Sequence, residues 1–185
     1  DGIIQSIYGV GLGLEGAQLM LNEDPQAAKE RIHQAIGGLN QAIRDIRAYI
    51  LDLRPRQLGN EGLLNGVKRL IAEYRAHTFS EVNFTGPESD LKDLPHSQSL
   101  ALFHICQEAL ANAAKHAKAK NVQVAIWTTN ERALLEISDD GKGFDTEKMH
   151  SSIGHGLANM QTRAHAVGGE FDISSTLGEG TTILV

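Results

Sequence analysis

The sequence of 185 residues is poor in cysteine, has no surplus of basic residues and contains no long apolar run. Because Cys106 is the single cysteine, a disulfide framework is excluded and we expect a reduced, cytoplasmic setting. The net charge of −6 argues against nucleic acid or an anionic membrane surface as a partner. No stretch approaches the roughly 20 apolar residues that cross a bilayer. What remains is an ordinary globular composition, with 41% hydrophobic residues, that can bury a core.

The first third of the chain has apolar residues at alternating steps of three and four, which is typical of helices with one buried stripe. The pattern breaks at residues 22–25, where an acidic turn precedes a proline suited to begin a second helix. Two such helices predict an antiparallel hairpin, and one hairpin cannot cover both stripes. We therefore expect a homodimer that forms a four-helix bundle. The stripe residues are Ile3, Ile7, Val10, Leu14, Ala17 and Leu21, then Ile32, Ile36, Leu39, Ile43, Ile46, Ile50 and Leu53.

The stretch GLGLEG at residues 11–16 matches the spacing of a dinucleotide-binding loop, G-x-G-x-x-G. That loop requires a strand before the first glycine, whereas here Leu14 belongs to the helical stripe. We therefore predict a helix. Its glycines, including Gly9, would allow close contact between helices, although each costs about 1 kcal/mol in a helix interior.

After Pro55 helical and strand periods are mixed, which predicts an α+β protein: the helical hairpin followed by a two-layer α/β sandwich. We expect one domain over residues 1–55 and a second over residues 56–185. Helices are predicted at about residues 60–78, 95–117 and 156–167, and strands around 82–84, 122–126, 135–137, 171–173 and 183–185.

The segment QEALANAAKHA contains the first candidate site. On an α-helix Glu108, Asn112, Lys115 and His116 share one face. Carboxylate and amide oxygens suit Mg²⁺, while lysine and histidine suit phosphate oxygens. A solvated helical face is the plainer interpretation of the same residues.

The segment SDDGKGF follows a predicted strand, so Asp139 would lie at the strand end. A carboxylate in that position can accept a hydrogen bond from the exocyclic amine of a purine. Gly141 and Gly143 would let the backbone turn sharply beneath a ligand. An ordinary turn is the alternative.

Two further glycine-containing segments complete the set. GHGLANM, with Gly154 and Gly156, opens a helix whose first backbone N–H groups favour an anion. LGEGTT, with Thr181, is the second segment. Judged alone, the first is equally a plain loop-to-helix junction and the second a hairpin turn.

Together and in this order, the four segments resemble the N, G1, G2 and G3 boxes of the GHKL ATPase superfamily, which has the Bergerat ATP-binding fold. The residues in these segments resemble those of sensor histidine kinases of the NarX/DesK-like branch. The N-terminal DGIIQS resembles the residues that follow the phosphoacceptor histidine in that branch, and LDLRP resembles the end of its second helix. The resemblance covers essentially the whole chain.

The resemblance implies a role for each matched residue. Asn112 would hold Mg²⁺ with Glu108 beside it, and Lys115 and His116 would lie near the phosphates of ATP. Asp139 would accept from adenine, with Thr181 nearby. The glycines Gly141, Gly143, Gly154 and Gly156 would shape the loops around the nucleotide.

The same resemblance implies histidine autophosphorylation, transfer to a response regulator, and removal of phosphate from that regulator. Asp1 would be the acid–base partner of a histidine immediately before it, and Gln5 would position water. Both ends of the sequence interrupt a pattern, so an upstream sensor region is expected. The alternatives are a GHKL ATPase or serine-protein kinase, and a non-catalytic nucleotide-sensing dimer module.

Overall fold

The computed structural model describes residues 2–53, 58–59, 61–91, 93–129, 131–146 and 155–185. The chain divides into two compact units, Asp1–Ile50 and Leu51–Val185. The first is helical, and the strands of the described chain all lie in the second. Among the helices within these ranges, none combines the length and apolar character that crossing a membrane requires.

The first unit consists of two helices, α1 (Gly2–Met20) and α2 (Pro25–Leu53). The α2 helix begins at its proline because the Asp24 carboxylate accepts a hydrogen bond from the Ala27 N–H group at 3.0 Å. GLGLEG lies inside α1, with no strand before it. The prediction that this motif is helical rather than a nucleotide loop is confirmed.

Small side chains hold the two helices together. Ala17 of α1 is buried, as are Ala28, Ala35 and Ala42 of α2, which recur every seven residues. At the same interface, a Cβ added to Gly13 would lie 4.0 Å from the Ala35 Cβ. Among the larger stripe residues whose side chains the structure describes, six of ten remain exposed in the single protomer: Ile7, Leu14, Leu21, Ile36, Leu39 and Ile46. The hairpin alone therefore leaves much of the predicted apolar stripe uncovered.

The second unit is a two-layer α/β sandwich, as predicted. Its helices and strands are α3 (Leu63–His77), β1 (Glu81–Thr85), α4 (His96–Asn112), a π-helical turn (Ala113–Ala117), β2 (Asn121–Thr128), β3 (Ala133–Asp139), α5 (His155–Ala166), β4 (Asp172–Thr176) and β5 (Gly180–Leu184). Predicted elements and observed ones agree in type and order. The main difference is the π-helical turn, because the sequence pattern predicted one continuous α-helix over residues 95–117.

The five strands form one mixed sheet in the order β1-β2-β3-β5-β4. β1 and β2 are parallel, and the other neighbours are antiparallel. Alternate residues of β2, such as Val124 and Ile126, join a core with Leu70, Phe103 and Met160 of the helices. The opposite face of the sheet is largely polar. The helical layer thus covers one face and brings α4 and α5 to the end of β3.

Candidate functional site

A cavity of about 330 Å³ lies where β3 ends, and it is lined by residues from all four glycine-containing or polar segments. Asn112 and His116 come from α4 and the π-helical turn, and Asp139 comes from the end of β3. Gly156 is contributed by α5 and Thr181 by β5. The fold therefore brings together residues that are distant in the sequence, such as Asn112 and Thr181, which are 69 positions apart.

Asp139 occupies the position that the sequence predicts, at the last residue of β3, where it pairs in register with Thr181 of β5. Its carboxylate accepts a hydrogen bond from the Gly141 N–H group at 2.9 Å. Burial raises the pKa of this carboxyl group, although the hydrogen bond from Gly141 opposes the shift. A partly buried carboxylate with remaining acceptor capacity is thus directed into the cavity.

Asp140, the next residue, instead forms hydrogen bonds with a neighbouring backbone segment. Its carboxylate accepts hydrogen bonds from the backbone N–H groups of Lys120 and Asn121 at 2.7 and 2.9 Å, and from the Asn121 side chain at 2.7 Å. The hydrogen bonds from Asn121 lower the pKa of this exposed carboxyl group. Asp140 does not line the cavity.

The loop after β3 needs both of its glycines. A Cβ on Gly141 would come within 2.6 Å of the Ala117 Cβ and 2.7 Å of the Asp139 carboxylate, so no side chain fits there. Gly143 has a φ of 57°, in the left-handed region, and a Cβ would overlap the Thr176 carbonyl. Both glycines therefore allow the backbone to pass close to the neighbouring segments.

Lys142, between the two glycines, is fixed through its backbone. Its N–H group donates to the Ala117 carbonyl at 2.8 Å, and its carbonyl accepts from the Gly178 N–H group at 2.8 Å. The loop is thus tied to the π-helical turn on one side and to the β4–β5 hairpin on the other. The Lys142 side chain is exposed and the residue lines the cavity.

Glu108 and Asn112 lie against the start of α5. A Cβ on Gly156 would overlap the Glu108 carboxylate and would be 3.3 Å from the Asn112 amide nitrogen. Asn112 lines the cavity, whereas Glu108 is not a lining residue. A glycine is thus needed where α5 begins, because α4 passes so close.

The π-helical turn changes the predicted single face of Glu108, Asn112, Lys115 and His116. A π-helical turn contains about one residue more than an α-helical turn, so the residues in it are rotated from their α-helical positions. His116 lines the cavity with Asn112, but Lys115 is not among the lining residues. Burial, followed by the nearby Lys115 and Lys142, lowers the pKa of His116. Two basic residues, His116 and Lys142, therefore line this side of the cavity, and Lys115 lies near His116 without lining it.

Several lining residues were not identified from the sequence. Lys142 and Phe144 follow Asp139 in the loop, and Leu157 and Ile183 are apolar residues of α5 and β5. The four-residue spacing of Ala109, Ala113 and Ala117, which lie on α4 and the π-helical turn, could have indicated a wall of small apolar side chains, but alanine is common in any helix. The sequence thus identified most of the polar groups and missed the apolar walls.

Some predicted residues do not contribute to this cavity in the described structure. Asp1 and Gly154 lie outside the described residues. Gln5 is exposed on α1, in the other unit. Among the described residues, no three histidine, cysteine, aspartate or glutamate side chains are grouped to hold a metal ion.

A larger cavity, of about 630 Å³, lies at the opposite end of the sheet, near Leu94, Arg132 and Val167. It contains none of the residues of the four segments. Size alone therefore does not identify the site, and the smaller cavity carries the chemically distinctive groups.

The fold and the cavity define an ATP-binding domain of the GHKL type. Residues 97–185 match the family described as "Histidine kinase-, DNA gyrase B-, and HSP90-like ATPase". Residues 1–58 match HisKA_3, described as "Histidine kinase". The HisKA_3 match covers the hairpin and the ATPase match covers the cavity-bearing part of the sandwich, and residues 59–96, which include α3 and β1, lie between the two matches.

Individual relatives agree with these two matches. The chain is 30% identical over its whole length to sensor histidine kinase LiaS of Bacillus subtilis, covering 50% of that protein. It is 34% identical over 80% of its length to the histidine-protein kinase/phosphatase DegS of Brevibacillus brevis, covering 38% of it. The histidine kinase domain of the blue-light activated kinase from Erythrobacter litoralis superposes with a TM-score of 0.57 at 17% identity, over 96% of this chain and 91% of that one.

The chain belongs to the sensor histidine kinases, in their NarX-like branch. It spans half or less of the curated relatives just described.

Proposed function

We propose that this chain is the catalytic core of a two-component sensor histidine kinase, which phosphorylates a histidine with ATP and transfers the phosphoryl group to a response-regulator aspartate. The observation that carries the proposal is the cavity at the end of β3. It combines a partly buried carboxylate at Asp139, an amide at Asn112 and basic groups at His116 and Lys142. In such a cavity Asp139 can accept a hydrogen bond from a purine amine, and the basic residues His116 and Lys142 can bind phosphate oxygens.

In this proposal adenine lies next to Asp139, whose carboxylate accepts a hydrogen bond from the exocyclic amine. Thr181, directly across the strand pair, contacts the same end of the nucleotide. Gly141, Gly143, Gly154 and Gly156 let the surrounding loops approach. The apolar walls, including Leu157 and Ile183, cover the faces of the base.

Mg²⁺ would be held by Asn112 with help from Glu108, and by the phosphates of ATP. The chain fits such an ion because amide and carboxylate oxygens are suitable ligands and Mg²⁺ commonly takes its other ligands from substrate phosphates and water. When bound, the ion neutralises phosphate charge during transfer. Lys115 would contribute positive charge beside the phosphates, and the lining position of Lys142 adds a second such charge. His116, whose pKa is lowered, would donate a hydrogen bond to a phosphate oxygen from its neutral imidazole.

The hairpin, proposed as a domain of residues 1–55 before an ATP-binding domain of residues 56–185, would supply the phosphoacceptor and the dimer interface. The phosphoacceptor would be a histidine immediately before Asp1, with Asp1 as its acid–base partner. Gln5, exposed four positions along α1, would position water for dephosphorylation of the response regulator. A homodimer would cover the exposed apolar stripe of each hairpin.

The chemical step is an in-line displacement, in which an imidazole nitrogen attacks the γ-phosphorus and ADP leaves. Such a reaction needs the reacting atoms about 3–3.5 Å apart. Catalysis then depends chiefly on positioning and on neutralising phosphate charge. His33, the single histidine of residues 1–55, is exposed on α2. Its neighbours Arg31 and Ala35 face Gly16 and Gly13 of α1, about 20 Å of helix rise from the start of α1, so we do not expect it to replace the proposed phosphoacceptor.

The direct test uses this chain and a version extended upstream in its natural sequence. Both should bind ATP, but acid-labile phosphate from γ-labelled ATP should appear on the extended chain alone. Acid-stable label would support a serine-protein kinase, and ATP binding without label on either chain would support a nucleotide-sensing module. Stoichiometric phosphohistidine on the unextended chain would show that the phosphoacceptor is placed wrongly.

The phosphatase part is tested with Gln5→Ala in the extended chain. We expect histidine phosphorylation to persist and dephosphorylation of the response regulator to slow. In contrast, Asp1→Ala should impair histidine phosphorylation. Equal loss of both activities in Gln5→Ala would contradict separate roles.

A further inference from the structure

The hydroxyl group of Ser175, near the end of β4, joins two segments of the cavity wall. It accepts a hydrogen bond from the Phe144 N–H group at 2.9 Å and lies 2.8 Å from the Gly180 carbonyl. The Thr181 hydroxyl is 3.0 Å away. Phe144 and Thr181 both line the cavity, whereas Ser175 does not. One half-buried side chain thus contacts two residues of the site from behind.

The three contacts match the bonding capacity of a hydroxyl group, which has one donor and two acceptor positions. The Gly180 carbonyl can only accept, so the Ser175 proton is directed to it. The Phe144 N–H group can only donate, so it occupies one acceptor position of Ser175. The Thr181 hydroxyl then donates to the second. This assignment leaves the Thr181 oxygen lone pairs free to accept from a group in the cavity.

We propose that Ser175 is a positioning residue of the nucleotide site. It holds the backbone at Phe144, directly after the glycine loop of Gly141 and Gly143, and it orients the Thr181 hydroxyl group as an acceptor. The inference rests on the proposed function, since it assigns a role toward the nucleotide that the cavity would bind. It concerns a side chain that acts through Thr181 and Phe144 and makes no contact with the nucleotide.

Neighbouring residues provide a matched control. Ser174 precedes Ser175 on the same strand, but its side chain is exposed and it makes no contact with the cavity. Serine-to-alanine changes at the two positions remove the same atom from the same strand. A difference between them therefore reports the hydrogen bonds of Ser175 and not the loss of a hydroxyl group from β4.

The test is a double-mutant cycle on ATP affinity, measured by calorimetry with Mg²⁺ present. Ser175→Ala and Thr181→Val should each weaken ATP binding about threefold or more, and the double variant should be no weaker than the weaker single variant, since coupled residues are non-additive. Ser174→Ala should have no effect, and its cycle with Thr181→Val should be additive. Additive effects in the Ser175 cycle would overturn the proposal.

A second pair of variants keeps the test decisive if Ser175→Ala unfolds. Ser175→Thr and Ser175→Val have nearly the same shape, suit a strand equally and differ in the hydroxyl group. We expect the threonine variant to bind ATP more tightly than the valine variant, and equal affinities would overturn the proposal. If the unaltered chain binds no ATP, the proposed function itself fails, which is a different result from wild-type binding that is insensitive to Ser175.

Discussion

Asp139 and Asp140 are adjacent carboxylates whose surroundings drive their pKa values in opposite directions. Burial in the cavity wall raises the pKa of Asp139, whereas hydrogen bonds from Asn121 lower that of Asp140. The first carboxylate retains acceptor capacity toward the cavity, and the second is occupied by the backbone between the π-helical turn and β2. One residue of the pair is therefore available for a ligand and the other maintains the loop.

Asp139→Asn should weaken binding of adenine nucleotides by about 1.5–3 kcal/mol, roughly ten- to a hundredfold, because a charge-assisted hydrogen bond to the amine is lost. Calorimetry with the unaltered chain and the variant measures this. Asp140→Asn is the matched control and should change affinity much less. Unchanged affinity in Asp139→Asn would remove this residue from the nucleotide site.

The same substitution should stabilise the nucleotide-free domain at neutral pH. Folding raises the pKa of the Asp139 carboxyl group. Such a group stabilises the folded state when the pH is below its pKa in the unfolded chain, and this stabilisation is lost as the pH rises through its pKa in the folded chain. Asparagine can still accept from Gly141 but carries no buried charge. The melting temperature of Asp139→Asn should therefore exceed that of the unaltered chain at pH 7. The difference should shrink as the pH falls toward the ordinary carboxyl range, and the opposite trend would contradict it.

Lys142→Met should weaken ATP by about 1 kcal/mol, roughly fivefold, because one exposed positive charge at the cavity is removed. The loss should diminish at high salt, since exposed charge pairs are screened. Adenosine, which has no phosphate, should bind the variant and the unaltered chain equally. Lys115→Met is the comparison, and we expect a smaller effect because Lys115 does not line the cavity. A larger loss in Lys115→Met would restore Lys115 as the principal phosphate contact.

Leu39→Asp should convert a homodimer into monomers. Leu39 is 45% exposed in the single protomer, so aspartate costs little there but would bury a charge in a four-helix bundle. Light scattering measures the molecular mass of the unaltered chain and of the two variants Leu39→Asp and Gln34→Asp. Gln34 is the control position because it is an exposed polar residue on the same helix. A monomeric unaltered chain at micromolar concentrations would contradict the bundle.

Gly9→Ala should stabilise the hairpin by up to about 1 kcal/mol, because glycine is unfavourable in a helix interior. A Cβ at Gly9 would meet nothing within 4 Å, whereas one at Gly38 would come within 2.9 Å of Val10. Gly38→Ala should therefore gain less or destabilise. Urea unfolding measures both variants, and ATP affinity should be unchanged in Gly9→Ala.

Much of the fold was predictable because its signals are periodic. The three-and-four spacing located the hairpin, and the alternation of Val122, Val124 and Ile126 located β2 with its buried face. The end of β3 then predicted where Asp139 lies. The resemblance implied that Thr181 lies near the base that Asp139 would bind, and the in-register pairing of these two residues is seen only in the structure.

The remaining features depend on contacts that local sequence does not encode. AAKHA carries no mark of a π-helical turn, whose carbonyl at Ala117 is satisfied by Lys142 from a distant loop. Ser175 is a plain strand serine until folding brings Phe144 to it from 31 positions away. The row of buried alanines on α2 (Ala28, Ala35 and Ala42), called the alanine stripe below, was not predicted, because hydrophobic patterning gives most weight to the larger side chains beside it.

That alanine stripe has a consequence for how the hairpin persists in solution. Alanine side chains remove little apolar surface from water, so the contact between α1 and α2 supplies only a small part of the free energy that the hairpin needs. If the larger side chains are covered by a second copy, mass action sets the stability of the helices, which rises with protein concentration. The sandwich, with its own buried core, has no such dependence. Dilution would then loosen the helical unit while leaving the cavity intact.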